Sequence, residues 1–593
     1  LKRIVIISAG IFLIVAGCIL WLSYKASSMY SHLNSATSLV SLLKDEILQD
    51  DTIRANEITK ELQTHTSAAR GAGEDPLWKA AGMLPWAGAN FRAASEVAVS
   101  ADDVTQLGLT PLVDALGLLD LKMLTPSSEG VDLSPLSAAR PKLLAAAHAV
   151  RESSDRLNAI NESALIPQLA VPLVEAREEL SSMRNGLDTA ADISSIAPNM
   201  LGAEAPRRYL LLIQNNAESR ASGGIPGAVA VLSVDQGKLT LESQTSASAL
   251  GKFSPAIAVE AQQQLIYSRR PGLYMQDVNL TPDFPTTADL AKRMWETRMG
   301  GSLDGVVSID PVALSYILDA TGVVHLSDPL LLTLAGERLP TELNSGNLVR
   351  TLLSDVYAEI SEPQLQDAYF AGVAHEVFDA LSKGTSDPKG LIVSLTRSVD
   401  EGRLRVWSNT TEEQDVLASY ALGGSITGVS VSPAEFGVYF NDGTGAKMDY
   451  YVKRTVQLLK ECAKDGYEET TVRVTSVNSA PADAATSLPT YVTGGGTYGV
   501  PPGSVQTNIV AYGPVQANVE TAKLDGEKTQ FAPYVHSNRP VGVVAVQLAP
   551  GESRTVEFTF GKIVQHVEPN LVVTPTVEPV MNVRLPTQSA ACS

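Results

Sequence analysis

Tyr209-Leu210-Leu211-Leu212-Ile213, running on into Gln214-Asn215-Asn216-Ala217-Glu218-Ser219-Arg220-Ala221-Ser222-Gly223-Gly224, decides how the middle of this chain is read. A short continuous apolar run bounded by polar residues predicts a buried strand with a polar loop at its carboxyl end. Ligands of open α/β sheets bind beyond the carboxyl ends of strands, so this loop is the first candidate for chemistry. Arg220 suits a bidentate clamp on phosphate, and Gly223 and Gly224 suit close approach of the backbone. The same residues read equally well as an Asn/Gly-rich turn with a structural Glu218–Arg220 contact.

Working downstream, Ala228–Val234, the turn Asp235-Gln236-Gly237 and Lys238–Glu242 predict a hairpin. Helices are expected at Pro285–Met299, from Pro311 to a stop at Gly322, and at Leu343–Ile360, Gln364–Leu381, Pro388–Gly402 and Glu412–Leu422. Strands are expected at Gly305–Ile309 and Leu404–Trp407. Interleaved strands and helices make residues 200–424 an α/β or α+β domain. A second polar loop, Asp277-Val278-Asn279-Leu280-Thr281-Pro282-Asp283-Phe284-Pro285, sets two carboxylates around an amide just before a helix. Asp277 and Asp283 with Asn279 are oxygen donors of the kind Mg²⁺ or Ca²⁺ takes. Asp283 is equally a helix cap ahead of Pro285. Arg269 and Arg270 add positive charge beside this loop, and Asp304 and Asp310, bracketing a strand, read as turn residues.

Outward from that domain the pattern changes on both sides. Lys2 and Arg3 precede an apolar run from Ile4 to Leu22, long enough to cross about 30 Å of hydrocarbon as a helix. Positive charge before the run places the bulk of the chain on the far side of the membrane. Val15-Ala16-Gly17-Cys18 also has the form of a lipoprotein processing box, a second route to the same membrane face. Met29, Leu33, Ala36, Val40, Leu43 and Ile47 form a heptad seam that must pack on another helix, in this chain or in a second copy. Further helical stretches at Phe91–Leu121, Pro135–Ser153 and Pro167–Ile193, with a loop at Thr125–Gly130, make a membrane-proximal helical stalk. From Ser425 onward, alternating runs such as Thr470–Val474, Gln506–Tyr512, Val543–Leu548 and Thr555–Phe560 between Gly/Pro turns predict a β-sandwich. The fold class is therefore α+β multidomain: a transmembrane anchor (1–25), a helical stalk (26–199), an α/β domain (200–424) and a β-sandwich (425–593).

Composition removes several functions. The 593 residues carry 45 Lys+Arg against 65 Asp+Glu, a net charge of −20, so no nucleic acid partner is expected. The 7 His are scattered with no HExxH, and no nucleophile elbow is present, which disfavours a zinc hydrolase or an α/β-hydrolase. With 3 Cys there is no disulfide framework. Outside the membrane, Cys462 and Cys592 are expected to pair, because no other external Cys competes.

The combination Asn215-Asn216-Ala217-Glu218-x-Arg220-x-x-Gly223-Gly224, Asp277-x-Asn279-x-x-Pro282-Asp283-Phe284-Pro285, Asp304-Gly305-Val306 and Asp310-Pro311 resembles the bacterial domain-of-unknown-function family 4012, whose members are typical of actinobacteria and often lie near cell-envelope polysaccharide genes. More distantly, the order of elements is similar to the LytR-CpsA-Psr glycopolymer phosphotransferases, which implies a related α/β core. The Arg-Ser-Asp-Thr and Pro-Arg-Asp motifs of those enzymes are absent; Ser222–Pro226 and Thr245–Lys252 stand in their places. The resemblance implies a single-pass protein of the bacterial cytoplasmic membrane with an extracytoplasmic bulk, and two functions. One is transfer of glycan phosphate from a polyprenyl-pyrophosphate carrier to a cell-wall acceptor. There Asp277 and Asp283 would hold Mg²⁺, Arg220 would orient pyrophosphate, Asn215, Asn216 and Asn279 would donate hydrogen bonds, and Glu218 is the only candidate base. The other is a non-catalytic protein that binds polyprenyl-linked or cell-wall glycan, or scaffolds its assembly.

Overall fold

The computed structural model describes residues 2–49, 51–118, 130–383, 387–462 and 466–590. The chain divides into two compact units, one holding the described residues of 1–124 and 132–200, the other those of 125–131 and 201–593.

The first unit is helical: α1 (Lys2–Leu48), α2 (Thr52–Gly73), α3 (Pro76–Ala81), α4 (Gly88–Asp103), α5 (Thr110–Leu116), α6 (Ser134–Asn158) and α7 (Pro167–Met200). Helix α1 is long and apolar enough to cross a membrane, and none of its apolar window is buried inside the protein. Beyond that window the heptad seam turns inward. Met29, Ala36 and Leu43 are buried, and Ala36 and Leu43 share a core with Ala55, Ile58 and Leu62 of α2. The chain's own helices thus cover the seam. Alanines at Ala55, Ala69, Ala98, Ala146 and Ala147 keep side-chain bulk low where the helices meet.

The single helix expected over Phe91–Leu121 is α4 and α5 joined through a π turn at Val104–Leu109. Pro111 has no amide hydrogen to give, and the helix widens just before it, with the Thr110 amide reaching back to the Thr105 carbonyl. The last residues of that expected helix, and the loop expected at Thr125–Gly130 apart from Gly130, lie outside the described residues.

The second unit is built on three larger sheets. In the first, β1 (Arg207–Arg220), β2 (Gly223–Asp235), β3 (Lys238–Ser246), β4 (Gly305–Ile309) and β7 (Arg405–Ser408) stand in the order β3-β2-β1-β4-β7. Strand β1 pairs antiparallel with β2 and parallel with β4, Leu211 opposite Val307. The β2–β3 turn puts Gln236 at φ 49° and Gly237 at φ 71°, the left-handed pair that a tight hairpin needs. A small hairpin joins β5 (Val324–His325) to β6 (Glu342–Leu343).

Helices α8 (Ala261–Tyr267), α9 (Phe284–Met299) and α10 (Pro311–Thr321) accompany the first sheet. Asp283 caps α9 by accepting from the Thr286 amide, and Asp310 caps α10 by accepting from the Ala313 amide, each with Pro in the first turn. The helix expected at Leu343–Ile360 begins later: Leu343 pairs in β6, and Leu348–Arg350 and Val356–Glu359 flank a π turn. The last expected helix stops at Leu417, well short of Leu422.

The other two sheets form the sandwich. They use β8 (Glu435–Asp442), β9 (Val452–Lys460), β10 (Glu468–Asn478), β11 (Val505–Tyr512), β12 (Asn518–Leu524), β13 (Glu527–Thr529), β14 (Ala532–His536), β15 (Arg539–Leu548), β16 (Ser553–Ile563), β17 (Asn570–Val573) and β18 (Gln588–Ser589). Their orders are β13-β12-β16-β10-β9-β18 and β14-β15-β11-β8-β17. Phe436 and Phe560 meet edge to face at 5.6 Å between the sheets. One apolar core runs from Leu211, Ile213 and Leu314 through to Phe440, Val472 and Phe558. Strand β18 pairs parallel with β9 and leads the Ala590 amide to the Lys460 carbonyl. Cys592, the expected partner of Cys462, lies outside the described residues.

Candidate functional site

The polar stretch after Ile213 is a strand, not the expected loop. Strand β1 continues to Arg220 through two register irregularities, and Arg220 pairs with Gly223 at the head of β2. Polar side chains remain in a buried strand here because other elements supply their partners. Gln214 Nε2 donates to Ser308 Oγ at 2.7 Å, Asn215 Nδ2 to the Tyr357 hydroxyl, and Asn216 Nδ2 to Asp310 Oδ2 at 3.0 Å. The Ser219 amide donates to Asp449 and the Ala221 amide to Asn441, both of the sandwich segment. Gly223 sits at φ 139°, and a Cβ on Gly224 would lie 2.2 Å from the Asn215 carbonyl carbon. Both glycines are therefore demanded by the hairpin's own closure.

The two sequence motifs converge. Arg220 Nη2 lies 2.9 Å from Glu218 Oε1 and 3.3 Å from Asp277 Oδ1, and Asn279 Nδ2 donates to the Gly224 carbonyl at 2.8 Å. Asp277 is only 2 % exposed, and its second oxygen is 2.8 Å from Arg270. Asp283 makes no ion pair among the described residues; besides the Thr286 amide, its carboxylate accepts from the Thr286 hydroxyl at 2.6 Å. Asp304 receives the Arg208 amide, and Asp310 is paired with buried Arg403 at 2.9 Å.

A divalent cation does not fit this donor set. Each oxygen of Asp277 already faces a guanidinium, and a cation there would be repelled by Arg220 and Arg270 at close range. Asp283 is committed to capping α9. Among the described residues no group of three His, Cys, Asp or Glu is arranged to hold a metal.

Sequence reasoning missed half of the cluster. Lys447 Nζ is 2.8 Å from Glu218 Oε2, and Arg454 is paired with Asp449. Asp442 accepts from the Thr444 and Gly445 amides at 2.9 and 2.6 Å. Burial by itself would raise the Glu218 carboxyl, but Lys447 and Arg220 together hold it below the usual range. Asp442 makes no such ion pair among the described residues, and the more distant charge of Arg220 only partly offsets its surroundings. Burial, then the negative charges of Asp449 and Glu218, push it up to about 7. The signal that could have flagged this region is Asn441-Asp442-Gly443-Thr444-Gly445, a turn-rich run between two apolar strands.

Beside the cluster lies a cleft of about 350 Å³ lined by Glu218, Ala446, Lys447, Thr490, Tyr491 and Thr497, with Gly445 and Gly494. Lys447 sits 5.9 Å from the centre of the Tyr491 ring, which stands 5.9 Å from that of Tyr357. Tyr491 is 38 % exposed, so one part of the ring is available at the rim. The cleft offers an aromatic surface, a carboxylate, an ammonium and two hydroxyls within the reach of one small polar molecule. A larger cavity of about 490 Å³ in the helical unit is lined mainly by alanines and the Arg156–Glu96 pair, and none of the motif residues contributes to it.

Residues 204–357 match the family model described as "Protein of unknown function (DUF4012)". That stretch includes Asn215 to Gly224, Asp277 and Tyr357, and stops before Lys447, Asp449 and Tyr491. No curated protein matches the chain.

Proposed function

We propose that this chain is a membrane-anchored protein of the bacterial cell envelope, with its bulk extracytoplasmic, that binds glycan during polysaccharide or glycopolymer assembly without transferring it. The observation that carries the reading is the Glu218–Lys447–Tyr491 cleft, set against a motif whose charges are spent on one another. The apolar face of a sugar ring packs on an exposed tyrosine, while its hydroxyls bond to a carboxylate, an ammonium and threonine hydroxyls. Lys447 has three donors, of which Glu218 takes one. The envelope setting is supported by α1, by the charge before it and by the sequence resemblance. The transferase alternative needs a cation at Asp277 and Asp283 and a pyrophosphate at Arg220, and those groups are already engaged by protein partners.

The test uses the full chain in nanodiscs, offered cell-wall oligosaccharides and labelled polyprenyl-pyrophosphate glycan with and without Mg²⁺. Saturable glycan binding that falls about tenfold in Tyr491→Ala, with no transfer to acceptor, is expected. Mg²⁺-dependent transfer would establish the enzyme instead.

A further inference from the structure

The outer end of the apolar run in α1 is tied to a particular loop of the helical unit. Trp21 Nε1 donates to Asp75 Oδ2 at 3.1 Å, and Lys25 Nζ lies 3.5 Å from the same oxygen. Asp75 Oδ1 caps α3, accepting from the Leu77 amide at 2.9 Å and the Trp78 amide at 3.4 Å. One carboxylate thus fixes the start of α3 at the level of residues 21–25. The run from Ile4 to Leu22, at 1.5 Å per residue, covers about 28 Å, close to the thickness of a bilayer's hydrocarbon, so that level is the membrane–water boundary.

The loop after α3 displays apolar side chains where a soluble protein would hide them. In that loop Trp86 is 83 % exposed, Met83 84 % and Leu84 is exposed as well, and Leu77 is exposed in the first turn of α3. Flexible packing is not the cause, because the loop is built. The Gly88 amide donates to the Leu84 carbonyl at 2.9 Å, Arg92 binds the Gly82 carbonyl, and Trp78 Nε1 donates to the Phe91 carbonyl at 3.0 Å. Trp78, eight residues before Trp86, is 4 % exposed, so the two indoles are sorted one inward and one outward. Lys79 is exposed between them.

We infer that the segment Leu77–Trp86, made of α3 and the loop after it, is a second membrane contact, seated in the headgroup layer of the bilayer that α1 crosses, with Trp86, Met83 and Leu84 among the upper chain segments and Lys79 toward lipid phosphate. The occupant is lipid because the segment starts at Asp75, whose carboxylate is bonded to the very residues where the span ends. Tryptophan is the side chain that favours this layer, and a cation beside it complements phosphate. The inference rests on α1 being a span, which belongs to the proposed function; the loop adds to that a fixed tilt and rotation of the helical unit on the membrane, since one helix alone leaves both free.

The experiment compares the full chain and Trp86→Phe, each reconstituted in phosphatidylcholine–phosphatidylglycerol vesicles with bromine placed near the headgroups or near the chain ends. The difference in fluorescence between the two proteins isolates Trp86. Headgroup-proximal bromine should remove roughly half or more of that difference signal, and chain-end bromine less. Retention in alkali-washed vesicles with an unquenched, water-like Trp86 signal overturns the loop contact alone. A shielded Trp86 insensitive to bromine assigns the loop to a protein partner and also overturns it. A chain washed off the vesicles overturns the span, and the inference with it.

Discussion

The β1–β2 corner and the Leu77–Trp86 segment break the usual sorting of side chains in opposite directions. The corner buries Glu218, Arg220, Asp277, Lys447 and Asp449, groups that ordinarily stay in water. The loop holds Trp86 and Met83 out in the open. The corner resolves its anomaly internally, since each of those charges has an opposite charge or an amide within bonding distance. Among the described residues nothing in the loop's own unit covers Trp86 or Met83. Buried charge therefore marks cohesion here, and exposed apolar surface marks an encounter with something outside the chain.

The comparison breaks first at Arg220. Arg220→Ala should destabilise the second unit by about 3–5 kcal/mol, because it leaves Glu218 and Asp277 buried with one partner fewer each. Urea unfolding of the full chain measures this. A loss under 1 kcal/mol, roughly the worth of a surface pair, would mean that the corner is a solvated site after all. Asp442 gives the next effect. Its carboxyl holds a proton in the folded state up to about 7, while the unfolded chain releases it near about 4. The folded state then binds more protons across that window, so this group's contribution is fully present at the acid end and is lost as pH rises through 7. Asp442→Asn should flatten that part of a stability–pH curve; an unchanged slope would show that the group titrates normally. The smallest effect belongs to the loop. Trp86→Ser should shift the unfolding free energy by no more than about 0.5 kcal/mol, as expected where no contact is lost. A larger loss would mean that Trp86 packs inside the protein.

The sequence reading reached furthest where structure is local. The apolar run Tyr209–Ile213, the Asp283 cap ahead of Pro285, Pro311 in the first turn of its helix, the Asp235-Gln236-Gly237 turn and the alternating strands of the sandwich each depend on neighbours a few residues away; Asp310, read as a turn residue, is in fact that helix's cap. The polar extension of β1 was illegible for the opposite reason. Ser219 finds Asp449 across 230 positions and Glu218 finds Lys447 across 229, and nothing near Asn215 announces those partners. Polar residues without visible partners read as a loop. The sequence marked two polar motifs as parts of one site, with Asp277 and Asp283 sharing a cation; Arg220 meets Asp277 and not Asp283, and the guanidiniums already filling Asp277 were illegible.

Strand β1 also depends on residues near the other end of the chain. Asn216 donates to the Pro575 carbonyl, the Thr574 hydroxyl donates to the Ala221 carbonyl, and Arg403 bonds to the carbonyls of Thr576 and Glu578. During synthesis, then, the middle sheet waits for some 350 further residues before its central strand is hydrogen-bonded to completion. A fragment cut at residue 357, where the family match ends, would carry every motif residue from Asn215 to Asp310 and still lack the strap that seals them. The recognisable stretch is one side of a seam, and the seam closes only when both sides are present.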